Sequence, residues 1–477
     1  MIRRIFKALG VLTFFGMSVF SLYLVNLFYM KPASIDHYLA KEVITDLVDS
    51  PEAMTYMGVF DGLNWLTNHN ARLSIPKSDD LKKDIQSARK RLNILNSYNN
   101  ELLDSDQRIA VFDTENQLNQ LELFPYHDYP LNQVRGEHHN IISFMSDMHP
   151  IRNLSEAEDF IKRTDLVIEV YSGLYDWLQR QADSGIYAPK FVYAHIIEQL
   201  SELINYSYEE HPLYTQFIKK IKLLNLSDEE FEALDSSIKN SIEESVTPGF
   251  VLLRNFMLET EKDANPHHGI WSQPNGDEFY KLRIKSYTTT DYGPEKIHQM
   301  GLSEVARITD RMKEILVSLG YDSNKTVGVL MNELNEDPSM LYADTPDRKE
   351  IVVQDYMNMV NEATEGIKEY FHSMPKASVI VKAVPEYSEQ TAAGGYYQGP
   401  SLDGKRPGVF YANLYDIKQT PKYSMKTLAF HEATPGHHHQ IAHSLENEEL
   451  TLYRRFGYGT SAFSEGWALY SEQLSLE

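Results

Sequence analysis

Apolar residues recur at helical spacing along most of the chain. Between residues 81 and 95, and again between 305 and 316, apolar side chains repeat every three or four positions with charged residues between them. This is the pattern of amphipathic α-helices. A helix start is indicated at Ser227-Asp228-Glu229-Glu230, where the serine can cap free amides and the acids meet the positive helix end. The pattern predicts a mainly α-helical protein.

Strand-forming residues gather in only two stretches, 378–384 and 394–411. Both are rich in β-branched and aromatic residues and are bounded by turn residues, which predicts a small β-sheet. Gly394 and Gly395 could bring backbone close to a ligand, although an ordinary hairpin explains them equally well. Loop-like residues at 265–276 suggest a boundary between an N-terminal helical half, 31–264, and a C-terminal half, 265–477.

The most apolar stretch of the chain is 8–30, which follows a basic tail at residues 1–7. As a helix it would be roughly 35 Å long, enough to span a bilayer core of about 30 Å. We therefore expect a signal anchor, a transmembrane helix with the tail in the cytoplasm. The body would then be extracytoplasmic, in the periplasm or at the cell surface. A passable cleavage site at Val19-Phe20-Ser21 leaves secretion as the alternative.

Composition excludes several classes of partner and of chemistry. The 477 residues hold 68 acidic and 45 basic side chains, a net charge of −23, so nucleic acid is not an expected partner. The chain contains no cysteine. This excludes disulfides, thiolate zinc sites, thiol catalysis and a lipid-modified N-terminal cysteine. Any metal must be held by histidines and carboxylates.

The candidate chemistry lies in the segment from His431 to Gln440, which contains His431-Glu432-Ala433-Thr434-Pro435-Gly436-His437. In the motif H-E-x-x-H, two histidines one helical turn apart bind zinc and the glutamate acts as general base. Here the second histidine is two residues late, about 240° around an uninterrupted helix. A kink or two-residue bulge at Pro435-Gly436 would return His437 to His431. We predict that His431 and His437 bind metal and that Glu432 is the base.

A third ligand is expected from a second helix at 460–472, in which Phe463, Trp467 and Tyr470 form an apolar stripe and two carboxylates lie on another face. We predict Glu465 as the ligand. The residues that could support a ligand or replace one are Glu472, His438 and Gln440, and a solvated run of histidines at 437–439 is the competing interpretation. His138-His139 and His267-His268 are interpreted as surface histidines.

Three segments resemble a known family. They are His431-Glu432-x-x-Pro435-Gly436-His437-x-x-Gln440, the segment from Pro400 to Asn413, and Glu465-Gly466-Trp467-Ala468-Leu469-Tyr470-x-Glu472. Together they resemble the bacterial proteins grouped as domain of unknown function 885, a family similar to the thimet-type and angiotensin-converting-type (gluzincin) zinc peptidases. The resemblance implies a large helical domain enclosing a deep cleft, with the small sheet beside the metal-site helix. It assigns His431 and His437 as zinc ligands, Glu432 as base and Glu465 as third ligand.

Family members usually continue for roughly a hundred residues beyond this point, in keeping with larger domains. We therefore expect a truncated C-terminus, lacking residues that clamp substrate. The expected function is zinc-dependent hydrolysis of peptides outside the cytoplasm. The donors proposed for substrate or oxyanion are Tyr396, Tyr397, Arg406 and Tyr411. The alternatives are a metal-binding but inactive pseudoenzyme or binding module, and a purely structural helical protein anchored to the membrane.

Overall fold

The computed structural model describes residues 2–58, 60–386, 388–390, 392–402, 404–457 and 459–475, and of residues 2–12 the backbone alone. The described residues form a mainly helical protein with one small sheet, as the sequence predicts. The helices are α1 (Ile2–Tyr29), α2 (Ile35–Asp49), α3 (Pro51–Met57), α4 (Asn64–Thr67), α5 (Asp80–Leu95), α6 (Ser105–Leu123), α7 (Glu137–Ser143), α8 (Leu154–Asp165), α9 (Val167–Asp183), α10 (Lys190–Asn205), α11 (Pro212–Ile221), α12 (Asp228–Ser241), α13 (Thr247–Thr260), α14 (Gly276–Thr288), α15 (Pro294–Ser318), α16 (Val327–Asn335), α17 (Arg348–Gly366), α18 (Lys422–Glu432), α19 (His437–Glu446) and α20 (Ser461–Leu474). The strands are β1 (Val379–Ala383), β2 (Gly395–Gln398) and β3 (Gly408–Ala412).

The two helices predicted from apolar spacing are both present, as α5 and as the second half of α15. The predicted cap at Ser227 is also present. Its hydroxyl accepts a hydrogen bond from the Glu230 amide at 3.3 Å, while the Glu230 carboxylate accepts one from the Ser227 amide at 2.8 Å. This reciprocal arrangement satisfies two amides that α12 would otherwise leave free.

The N-terminal segment forms the helix α1, but its predicted role as a membrane span is not supported. Among the residues that the structure describes, no helix is long and apolar enough to cross a membrane. The side chains of residues 8–12 of the predicted span, and those of the basic tail at 1–7, lie outside the described residues. Near the end of α1 the polar Asn26 binds the following turn, donating to the Lys31 carbonyl and accepting from the Ala33 amide, both at 2.8 Å.

The chain divides into two compact units, each assembled from separate stretches. The first contains residues 1–49, 79–125 and 447–458, and the second contains 50–78, 126–446 and 459–477. All residues of the candidate site belong to the second unit. The predicted division into halves at residue 265 stays a prediction.

The first unit packs α2, α5 and α6 around a small apolar core that includes Leu39, Leu95 and Tyr453. At its edge the Arg91 guanidinium donates to Glu42 at 2.8 Å and to Asp46 at 2.9 Å. One cation thus joins α5 to α2.

In the second unit, α7 to α13 surround the largest apolar cluster of the described chain. Its fully buried members include Phe160, Tyr171, Ile196, Phe217 and Phe250. The rings of Phe160 and Phe217 stack with centroids 5.0 Å apart. This cluster forms a rigid helical wall from residues distant in sequence.

The sheet has the order β1-β3-β2, with β1 parallel and β2 antiparallel to β3. Alternate residues of the sheet face α17 and α18, where Phe410 packs against Tyr356 with ring centroids 5.1 Å apart. Met425 and Ala429 of α18 are fully buried in the same cluster. The sheet therefore fixes α18, the helix that carries the candidate metal ligand His431.

Candidate metal centre

The last turn of helix α18 contains the candidate metal ligand His431 and the candidate base Glu432. The helix begins at Lys422, and the hydroxyl of the preceding Thr420 donates to the Asn413 carbonyl at 3.3 Å. The buried face of α18 packs against the sheet, so His431 and Glu432, in its last turn, are presented beyond that core. The position of both side chains is thus set by ordinary core packing.

After Glu432 the helix ends, and no bulge carries it on. Residues 433–436 are not helical, Ala433 has φ −108° and ψ −99°, the Thr434–Pro435 peptide bond is cis, and α19 begins at His437. The predicted bulge within one helix is therefore wrong in form, because two separate helices meet here. Its expected consequence does occur. The rings of His431 and His437 lie 4.8 Å apart, nearly perpendicular.

Glycine is required at 436 because the turn folds back onto the last turn of α18. A Cβ atom at this position would lie 1.9 Å from the His431 carbonyl oxygen and 2.3 Å from that of Phe430. The turn is also fastened from outside, since the Trp467 indole donates to the Pro435 carbonyl at 2.8 Å. These two contacts hold His437 close to His431.

His431, His437 and Glu465 form the predicted group of three ligands. The Glu465 Oε2 atom lies 3.4 Å from Nε2 of His431 and 3.6 Å from Nε2 of His437, and one ligand atom from each residue lies within 4.8 Å of the other two. Four-coordinate zinc with bonds of about 2.1 Å separates its ligand atoms by about 3.4 Å. The two imidazoles and one carboxylate thus match the donor set of a zinc site with one open position, and the two carboxylate–imidazole distances match its spacing.

Glu472 lies behind the cluster, where the sequence placed it as the partner of a ligand. Its Oε1 atom is 2.8 Å from Nδ1 of His431. With the Nδ1 proton donated to this carboxylate, Nε2 of His431 keeps its lone pair toward Glu465 and His437. Carboxylates in this position fix the tautomer and orientation of metal-binding histidines.

Glu432 is buried beside the cluster, with 6% of its surface exposed. Burial raises the pKa of this carboxyl to about 7; the charge of Glu465 raises it further, while His431 and Arg135 oppose the shift. Sequence analysis did not single out Arg135, which precedes α7. Nothing in the local sequence marks this arginine, because only tertiary packing brings it near Glu432.

His438, His439 and Gln440 point away from the three ligands. Nδ1 of His438 lies 2.9 Å from the Tyr397 hydroxyl and its Nε2 lies 3.1 Å from the Ala377 carbonyl, so both of its nitrogens have other partners. His439 packs on Phe371 with ring centroids 4.4 Å apart. Burial lowers the pKa of each histidine to about 4. His437 is therefore the histidine of this run that joins the cluster.

Gln440 links two helices. Its side-chain amide donates to the Phe463 carbonyl at 3.0 Å and so ties α19 to α20. At the end of α19, the Glu446 carboxylate accepts from the amides of Lys376 at 2.7 Å and Ala377 at 2.8 Å. The helix that carries His437 is thus held at both ends.

The side chains proposed for substrate or oxyanion contact have other partners. The Arg406 guanidinium donates to the carbonyls of Gly399 and Tyr56, both at 2.7 Å. Tyr396 and Tyr411 stack on each other with centroids 4.8 Å apart, on the sheet face opposite the one that carries Tyr397. The structure does not bring these four residues together with the metal ligands. The only sequence signal for a role of these four residues in substrate binding was the presence of glycines nearby, and those glycines serve strand packing.

The apolar stripe of α20 is partly exposed, at Phe463 and Tyr470, whereas Ala468 and Ser471 are buried. Small residues on that face allow α20 to pack closely on α18 and α19. The pair His138-His139 is buried at the start of α7 and not on the surface. His267 and His268 are exposed, as predicted.

His138 shows why the pair is buried. Its Nε2 atom lies 3.0 Å from Oε1 of Gln199 on α10, and burial lowers the pKa of this imidazole to about 3. A neutral histidine with a fixed hydrogen bond is an ordinary core residue. Histidine pairs in loop-like sequence therefore do not by themselves indicate exposure.

The fold and the three motifs define a helical protein with a two-histidine, one-carboxylate site, and the comparisons place it in a family. Residues 51–477 match the family described as "Bacterial protein of unknown function (DUF885)". The chain belongs to this family, which confirms that part of the resemblance.

Two solved structures are similar to this chain. The crystal structure of the "putative lipoprotein" from Colwellia psychrerythraea has a TM-score of 0.84 and 29% identity, covering 92% of this chain and 78% of that one. A "putative lipoprotein of unknown function" from Shewanella oneidensis has a TM-score of 0.58 and 15% identity, covering 93% and 78%, and supports the fold alone. No curated protein matches the chain.

Proposed function

We propose that this protein is a zinc-dependent peptide hydrolase that acts outside the cytoplasm. The observation that carries the proposal is the convergence of His431, His437 and Glu465, from three different helices, with ligand atoms within 4.8 Å of one another. A buried carboxyl, Glu432, adjoins them. The resemblance of the motifs to thimet-type and angiotensin-converting-type peptidases adds support for peptides as the substrate.

Zinc bound by these three residues would lower the pKa of a water molecule and polarise a carbonyl. The protein side chains supply the rest of the chemistry. Glu432 is placed to accept a proton from water and to deliver it to the leaving amine nitrogen. Glu472 keeps Nε2 of His431 directed at the site. The guanidinium of Arg135 is the candidate for stabilising negative charge that develops on the substrate.

Placement outside the cytoplasm is supported by the Colwellia relative, which is described as a lipoprotein. This chain has no cysteine to carry a lipid. We therefore propose an extracytoplasmic protein whose attachment, if any, does not use a lipidated cysteine.

The test compares metal content and peptide cleavage. The wild-type chain, loaded with zinc, should hold one metal per chain and cleave members of a fluorogenic peptide panel. Glu432→Gln should keep the metal and lose cleavage by at least about 100-fold. Glu448→Gln, a change of an exposed acid away from the cluster, is the matched control and should behave as wild type.

The outcomes separate the alternatives. Stoichiometric metal without cleavage of any peptide would favour a metal-binding but inactive protein. Failure to bind metal, or equal cleavage by wild type and Glu432→Gln, would exclude the proposed chemistry.

A further inference from the structure

A cavity of about 350 Å³ lies in the second unit, apart from the metal ligands. Its wall is mostly apolar, from α7, α9 and the segment around residue 73, and it includes Leu73, Ile141, Phe144, Val170 and Leu174. Two carboxylates, Glu52 and Glu137, also line it. Clefts of this size, largely apolar with a few polar groups, are typical of sites for small molecules or single side chains.

The two acids differ in how they are held. The Glu52 carboxylate accepts from the Ser74 amide at 2.6 Å and from its hydroxyl at 2.7 Å, which fixes its position. Glu137 accepts from the Asn140 side chain at 3.3 Å, and the residue is partly exposed to solvent. The pKa of Glu137 is raised, first by the surrounding protein and also by the charge of Glu52. The two carboxylates are therefore close enough to interact, and both face the same cavity.

The buried cation behind this wall, Arg163, is committed to other partners. The Arg163 guanidinium lies behind Phe144, 4.9 Å from its ring centroid. Its donors are used by the carbonyls of Arg72 and His69, the Thr55 hydroxyl and a ring nitrogen of His149. No lysine or arginine is among the described residues that line the cavity. The charge of Glu52 acts on Arg163, whereas the groups that act on the Glu137 carboxyl are Asn140 and Glu52, and neither is a cation. An apolar cavity with this acid at its rim is complementary to an apolar stem that ends in a cation.

We propose that this cavity binds the side chain of an arginine or lysine residue, with the methylenes against Val170 and Leu174 and the charged head at Glu137 and Glu52. This site does not depend on the metal centre, and its test needs no catalysis. It would give the protein a preference for basic peptides.

The test is calorimetric titration of the full chain with Nα-acetyl-arginine amide, and with Nα-acetyl-norleucine amide as the uncharged aliphatic control. The arginine amide should bind about tenfold more tightly, because charge-assisted hydrogen bonds favour it. Glu137→Gln should remove that advantage, while Glu158→Gln, a change of an exposed acid on α8, should not. Val170→Phe should fill the cavity and weaken both ligands.

Equal affinity for the two amides, or no binding of either, would overturn the proposal. Arginine binding that is unchanged in both Glu137→Gln and Val170→Phe would overturn it as well. Unfolding curves of each variant, matched to wild type, exclude loss of fold as the cause of weaker binding.

Discussion

The turn between α18 and α19 makes a sharp prediction about Gly436. In Gly436→Ala the new methyl would lie 1.9 Å from the His431 carbonyl oxygen, whereas an ordinary contact begins at 3.4 Å. The obstructing atom is backbone within α18, so the turn must move by about 1 Å or more to relieve the overlap. Overpacking of this kind costs about 1–3 kcal/mol of the free energy of unfolding, and a backbone obstruction places this case toward the upper end. Because metal ligands tolerate displacements of only about 0.2 Å, zinc affinity should fall by roughly 100-fold.

Gly466, next to the ligand Glu465, provides the matched control. A Cβ atom there meets nothing within 4 Å, and the residue lies inside α20. Gly466→Ala should therefore stabilise the protein by about 0.5–1 kcal/mol and leave zinc affinity unchanged. Urea denaturation of the metal-free protein and zinc titration against a competing chelator measure the two effects. A metal-free Gly436→Ala protein that is as stable as wild type would refute the predicted overlap at residue 436.

Three other substitutions test the surroundings of the site. Glu472→Gln should weaken zinc binding about 10- to 100-fold, because it removes the carboxylate that orients His431; chelator competition that shows wild-type affinity would contradict this. Trp467→Phe should cost about 1–3 kcal/mol of unfolding free energy by leaving the Pro435 carbonyl without its donor, and an unchanged urea midpoint would exclude that contribution. Burial lowers the pKa of His211 to about 4, below the value of about 6.5 expected in the unfolded chain. The unfolded chain therefore takes up the proton first, and stability that is complete above pH 6.5 is lost toward pH 4, by up to about 3 kcal/mol. His211 lies at the N-terminus of α11 as its cap, and His211→Asn keeps a side-chain acceptor there. The loss of stability of this variant between pH 7 and pH 4.5 should therefore be smaller than that of wild type.

The convergence of the candidate ligands was predictable because the sequence signals for it are local. The spacing of His431 and His437 was incompatible with one helix, and proline and glycine between them indicated where the helix had to be interrupted. The form of the interruption was not predictable. It depends on close contact between Gly436 and the preceding turn and on the Trp467 indole, and both require the packed structure.

The errors concern features that only tertiary packing decides. Periodicity gave α20 an apolar stripe, but it did not show that the neighbouring helices pack on the face with the small residues Ala468 and Ser471. Loop-like sequence around His138 suggested exposure, yet the imidazole finds Gln199 in the core. Arg135 has no local signal at all. Helix positions follow from the pattern of single segments, whereas the contacts between segments do not.

The three candidate ligands lie between residues 431 and 465, and much of the core that supports α18 is encoded earlier, in α17 and the sheet. On a ribosome that adds roughly 5–20 residues per second, the supporting core emerges before any ligand does. Under the proposed function, metal uptake would then be one of the last events of maturation. A cell short of zinc would accumulate a chain that is already folded around an incomplete centre, with Glu465 still exposed to solvent.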